Sequence, residues 1–220
     1  MRRRHTPGAY NADMSGLALG FSLLLALQAA DVPPADPRPA PTRPGLSWED
    51  ADTVARHLRR IGRRLRSGRP ASKDTIVVTE SELNSFVNLS LAEEIPPELS
   101  DLEFQLGWDY LGARGLVDLD RLRDKLPEGG PASFLSMLSG TVPVELGGRL
   151  VSAEGLARVE LETTVIGGVS VPPSLLAQMV SFATRSEERP EGIDIAAPVA
   201  LPWTAKSIRI EPGRALFDFY

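Results

Sequence analysis

Apolar and polar residues alternate with a period of two in three separate stretches of the chain. Leu102, Phe104, Leu106 and Trp108 are spaced by polar or small residues, and after Gly115 come Val117 and Leu119. Val142, Val144 and Leu146 lead a second stretch, and after Gly155 come Ala157, Val159 and Leu161. Ile208 and Ile210 precede Pro212-Gly213, and Ala215, Phe217 and Phe219 follow. Successive side chains of a strand point to opposite faces, so this alternation around a turn glycine predicts half-buried antiparallel hairpins. Three of them predict one long, twisted antiparallel sheet with a single apolar face.

Other segments carry helical spacing. Trp48, Ala51, Val54, Ala55, Leu58, Ile61 and Leu65 recur on one side of a helix predicted over 47–68. Ser47 caps it, Glu49 and Asp50 sit in its first turn, and Gly68 with Pro70 closes it. Thr75–Val78 predicts a short β-branched strand, after which Thr79-Glu80-Ser81-Glu82 fits a capping box. The helix that follows, over 80–92, presents Leu83, Phe86, Val87 and Leu91 on one face and stops at Pro96-Pro97. Asn88-Leu89-Ser90 spells a glycosylation acceptor, but its helical setting marks a chance match. Pro172-Pro173 opens another helix backed by Leu175, Leu176, Met179, Val180 and Ala183. These helices and the segment 132–138 (ASFLSML) are the candidates to cover the apolar face of the sheet. The predicted class is therefore α+β, a long curved antiparallel sheet of hairpins wrapped around a few helices and preceded by an amphipathic basic helix.

The first 46 residues follow a different pattern. Arg2, Arg3 and Arg4 precede an apolar run from Leu17 to Leu27, and Gln28-Ala29-Ala30 comes next. That is the layout of a secretory signal, and the run is well short of the ~20 residues a comfortable span needs. Leu27 or Gln28 falls where a small residue is wanted before the cut, so a retained anchor or an internal core helix is the alternative, and Met14 is an alternative start. Either way the domain is expected outside the cytoplasm, in the periplasm or on the outer face of the cytoplasmic membrane. Residues 31–46 carry Pro33, Pro34, Pro37, Pro39, Pro41 and Pro44, which predicts an extended polyproline spacer. One α+β domain is expected over 47–220, made of the basic helix 47–68 and a sheet-and-helix body over 75–220.

Composition removes chemistry more than it adds any. The 220 residues suit one domain, with 42% hydrophobic and 24% charged residues. Cysteine is absent, which excludes disulfides, thiolate metal sites, thiol nucleophiles and a lipid-modified N-terminal Cys. The two histidines are His5 and His57, too few for a His-based triad, a multi-His metal centre or a HExxH site. His57 reads as a surface residue on a helix flank. No phosphate loop, dinucleotide fingerprint, GxSxG elbow or SxxK pair occurs. Asp118 with Asp120, and Glu160 with Glu162, are acidic pairs predicted on strand faces opposite apolar neighbours, which is the pattern of a solvated face. A hydrolase working by carboxylates alone would need one pair inside a cleft. The expectation is a non-enzymatic protein with no cofactor and no metal.

Charge is segregated along the chain. Without residues 1–30 there are 21 bases against 28 acids, a net −7. Residues 56–73 hold eight bases and no acid, whereas residues from 74 onward hold 23 acids against 11 bases. Arg56, Arg59, Arg60, Arg63 and Arg64 make a face that attracts either an anionic membrane surface or a protein partner, or that is merely solvated. Nucleic acid is not expected, because no recognition motif or interleaved aromatics accompany the arginines.

A sheet with one apolar face under helices either closes completely or leaves a groove for an apolar ligand. Alternation selects Phe86, Leu106, Trp108, Val144, Val159 and Phe217 as lining for such a groove, with Leu176 and Met179 from the later helix. Phe134 and Met137 join them from the stretch 121–140, where Gly129-Gly130-Pro131 allows either a lid or a core-capping connection. The order of Thr79-Glu80-Ser81-Glu82-Leu83-Asn84, a strand-rich middle, Gly167-Gly168-Val169-Ser170-Val171-Pro172-Pro173 and Leu201-Pro202-Trp203 resembles bacterial exported proteins of the tubular lipid-binding (TULIP-like) type. The likeness covers roughly residues 75–220 and implies a highly curved sheet around a long helix, with lipid in the groove and no catalysis. Here no single long helix is evident, and no ligand-binding residue carries over by motif. The expectation is an exported lipid or apolar-ligand carrier; the alternative is a structural or adaptor protein of the envelope with a solid core.

Overall fold

A computed structural model describes residues 39–66, 75–125, 139–185, 190–201 and 205–219. The chain begins with α1 (Trp48–Arg66), β1 (Ile76–Thr79) and α2 (Glu80–Ser85), which runs into one π-helical turn at Phe86–Ser90. Then come β2 (Leu99–Leu106), β3 (Tyr110–Asp118), α3 (Leu119–Lys125), β4 (Thr141–Ala153) and β5 (Leu156–Ile166). The last part is β6 (Val169–Ser170), α4 (Pro173–Ala183), β7 (Val199–Ala200), β8 (Ala205–Glu211) and β9 (Arg214–Phe219). The class is α+β, with a large antiparallel sheet and several helices.

The three hairpins do not share one sheet. β2, β3, β4, β5 and β6 lie side by side in that order, with β7 also on β5, while β1, β9 and β8 form a separate three-stranded sheet. The last hairpin prefers β1 as its neighbour, Ile76 standing opposite Phe217. It meets the larger sheet through isolated bonds instead of a ladder. Ser152 Oγ donates to the Ile208 carbonyl at 2.6 Å and accepts from the Ile208 N–H at 2.7 Å. Gly155 N–H donates to the Lys206 carbonyl at 2.8 Å, and Gly213 N–H to the Leu106 carbonyl at 2.9 Å. Alternation fixes which face of a strand is apolar but leaves its neighbour open.

The long hairpin β4–β5 turns at Glu154-Gly155, with φ of 51° and 80°, as its glycine predicted. The β2–β3 hairpin turns elsewhere, at Gly107-Trp108-Asp109. Gly115 stands mid-strand in β3, opposite Val144. A Cβ there would lie 2.8 Å from Leu102 Cδ2 and 3.0 Å from the Ser100 carbonyl, so that glycine marks a close approach and not a turn. Leu119 likewise opens α3 instead of ending a strand. Asp118 caps that helix, its Oδ1 accepting from the N–H groups of Asp120 and Arg121 at 3.1 Å each. Asp118 and Asp120 therefore do not share a strand face.

The capping box forms as its spacing predicts, with Thr79 Oγ1 accepting from Glu82 N–H at 3.2 Å and Glu82 Oε2 from Thr79 N–H at 2.7 Å. The helix expected over 80–92 is shorter, because it widens into the π turn and ends at Ser90. Ser47 caps α1 through its Oγ, 3.1 Å from Glu49 N–H. Residues 39–46, within the stretch read as a spacer, lie against the body: Arg43 donates to the Leu102 carbonyl at 3.0 Å and to Glu103 at 3.1 Å. One continuous apolar cluster joins α1, α2, both sheets and α4, with Phe86, Phe104, Ile166, Leu176 and Met179 each at most 1% exposed. The segments 1–30, 31–38, 67–74, 126–138 and 186–189, and Pro202-Trp203, lie outside the described residues.

Candidate functional site

Of the residues selected as groove lining, Phe86, Leu106, Val144, Leu176 and Met179 belong to the one apolar cluster, and Phe217 packs against it. Phe86, Leu106, Val144, Leu176 and Met179 are core, with exposures of 0, 6, 2, 1 and 1%. Val159 and Phe217 are half-buried. Trp108 belongs to the β2–β3 turn and is 75% exposed, because the strand ends at Leu106 before the alternation does. Phe134 and Met137 lie outside the described residues.

Among the described residues, two concavities flank this core. One lies between α1 and the three-stranded sheet, walled by Val54, Leu58, Leu83, Phe86 and Phe217, with His57 at its side. Its volume is about 30 Å³, room for one or two waters and no more. The other is an open groove of about 350 Å³ on β5, where Val159 and Leu161 face Pro173 and Ala177 of α4 and Ile195. That size falls at the low end of ligand sites.

His57 is the titrating group of the first concavity. Its pKa is held below 6.5, first by burial against the apolar wall and then by the Arg60 charge; Glu82 opposes this and Arg56 adds to it. An imidazole with a depressed folded pKa binds fewer protons than the unfolded chain just below pH 6.5, so stability rises with pH through that window. Urea midpoints at about pH 5.5 and about pH 7.5 should therefore differ more for the wild type than for His57→Gln. Equal differences would contradict this placement of His57.

Several charged groups elsewhere are paired. Glu103 sits between Arg114 at 2.6 Å and Arg43 at 3.1 Å, and the Arg114 hydrogen bond leads in lowering its pKa. Asp218 accepts from Thr75 Oγ1 at 2.7 Å, from Arg209 at 3.1 Å and from Ser207 at 3.3 Å, and its pKa is also lowered, chiefly by Thr75. Glu160 and Glu162 are exposed on β5, joined to Arg158 at 2.6 Å and Arg149 at 3.4 Å. On α1, Arg56, Arg60 and Arg63 are exposed while Arg59 and Arg64 are half-buried, opposite the buried line Ala51, Val54, Ala55, Leu58 and Ile61.

Sequence reasoning overlooked how the edge of the larger sheet is closed. Asn84 imitates a neighbouring strand: its Nδ2 donates to the Phe104 carbonyl at 2.9 Å and its Oδ1 accepts from the Phe104 N–H at 2.7 Å. Asn88 donates to the Leu102 carbonyl at 2.9 Å, and Glu80 Oε2 accepts from the Leu106 N–H at 2.7 Å. The signal was a polar stripe at positions 80, 84 and 88, four residues apart and so on one face of a helix. It satisfies the outward groups of β2 from the Leu102 carbonyl to the Leu106 N–H.

The chain matches no known family model, no curated protein and no solved structure. Among the described residues no helix is long and apolar enough to cross a membrane.

Proposed function

We propose that this protein is an exported, non-catalytic adaptor of the cell envelope that binds a protein partner on its surface. One observation carries the reading: Leu106, Val144 and Leu176, three residues that a ligand groove would need, are closed into a continuous core. Such an interior leaves binding to the outside of the molecule. The acidic pairs serve a cap and two surface ion pairs, roles that need no chemistry. The arginines of α1 supply an attractive face for an anionic partner or an anionic lipid surface.

The second reading is a carrier of a lipid or other apolar molecule, with the sheet curved around its helices. The groove of about 350 Å³ on β5 and the tubular lipid-binding resemblance favour it. Photo-crosslinking in the native envelope separates the two, with a benzophenone amino acid in place of Arg60 or of Val159. Discrete protein adducts are expected at one of these positions. Adducts to lipid alone, at both, would overturn the adaptor reading.

A further inference from the structure

β5 has an interrupted outer edge. Its start pairs with β7, Leu156 opposite Ala200 and Ala157 opposite Val199, and its end pairs with β6, Val165 opposite Ser170 and Ile166 opposite Val169. Among the described residues no strand pairs with positions 158–163 on that side. Bonds at neighbouring positions show which way the backbone points. The Gly155 carbonyl accepts from Leu201 N–H at 2.7 Å on the β7 side. Leu150, opposite Val159, turns its N–H to the Asp109 carbonyl at 3.0 Å, away from β5. Because these directions alternate along an antiparallel strand, Val159 and Leu161 turn N–H and C=O away from β4, toward the side where no described strand pairs with them.

The groove lies beside that gap. Val159 and Leu161 line it from β5, and Pro173, Ala177 and Ile195 line it from across. Resting on the adaptor reading above, we propose that the open middle of β5 docks an extended peptide segment of the partner, which adds a short antiparallel or parallel strand between β6 and β7. Main-chain pairing supplies the affinity and the groove seats alternate side chains. At 3.3 Å per residue the gap accepts a strand of about five residues. Small apolar residues fit its groove-facing positions, and polar ones fit beside the exposed Arg158–Glu160 pair. The contrast with β2 supports a receptive edge: one edge of the sheet is closed by Asn84, Asn88 and Glu80, and the other is left open at its centre.

The test uses the full chain and a fluorescein-labelled peptide, acetyl-Lys-Thr-Val-Thr-Val-Thr-Lys-amide, read by anisotropy. N-methylation of alternate residues blocks one edge of the peptide, and moving the methyls by one residue blocks the other. Saturable binding is expected, weakened about tenfold or more in one frame and changed less than about twofold in the other. Val159→Pro removes an outward N–H without touching the β4 ladder and should weaken binding about tenfold at an unchanged melting temperature. The idea fails if the wild type does not bind the peptide, if both frames bind alike, or if phosphatidylcholine vesicles displace it. A failed peptide beside a protein adduct at the position of Arg60 would remove this site and leave the adaptor reading standing.

Discussion

Phe86→Ala is expected to lower the unfolding free energy by about 3–5 kcal/mol, the cost of emptying a closed aromatic site that cannot collapse. Phe86 is 0% exposed, stands where α2 widens into its π turn, and lines the small concavity together with Val54, Leu58, Leu83 and Phe217. Those neighbours belong to three different elements, so none can move in without disturbing its own packing. Urea unfolding measures the loss. A loss below about 1 kcal/mol would mean that the site already behaves as an adaptable groove and would speak for a carrier.

Asn84→Leu should cost about 2 kcal/mol or more, because Phe104 then loses both partners of a half-buried backbone amide. The same change opens the β2 edge. Self-association should rise with protein concentration in sedimentation velocity more steeply than for the wild type at the same loading. Asn84→Asp should not restore stability. It keeps an acceptor for the Phe104 N–H but turns a carboxylate oxygen on the Phe104 carbonyl. If Asn84→Leu instead unfolds like the wild type, the side chain is not acting as a strand neighbour.

Much of the strand pattern was legible. Phe104 is buried, Val159 and Phe217 are half-buried, and Glu160 is exposed, so the strands are apolar on the side that alternation indicated. The capping box at Thr79, the proline-led helix at Pro173 and the turns at Gly155 and Pro212-Gly213 are local chemistry, and local chemistry was readable. Pairing was not. Nothing in residues 205–219 says that they choose β1 over β4, since that choice is made by packing of segments far apart in sequence. Gly115 misled because a glycine serves a turn and a close approach equally well. Trp108 and Leu119 misled because alternation continues past the real ends of β2 and β3, by two residues and by one. The site was least legible of all. Apolar residues at strand spacing are the same residues whether they line a cavity or fill one, and here Leu106, Val144 and Leu176 fill it.

Native mass spectrometry of the protein purified from its host without detergent puts the solid interior to the most direct test. A filled core predicts the mass of the polypeptide alone, unchanged after incubation with dispersed phospholipid. A stoichiometric adduct of lipid mass that survives transfer to the gas phase would contradict it.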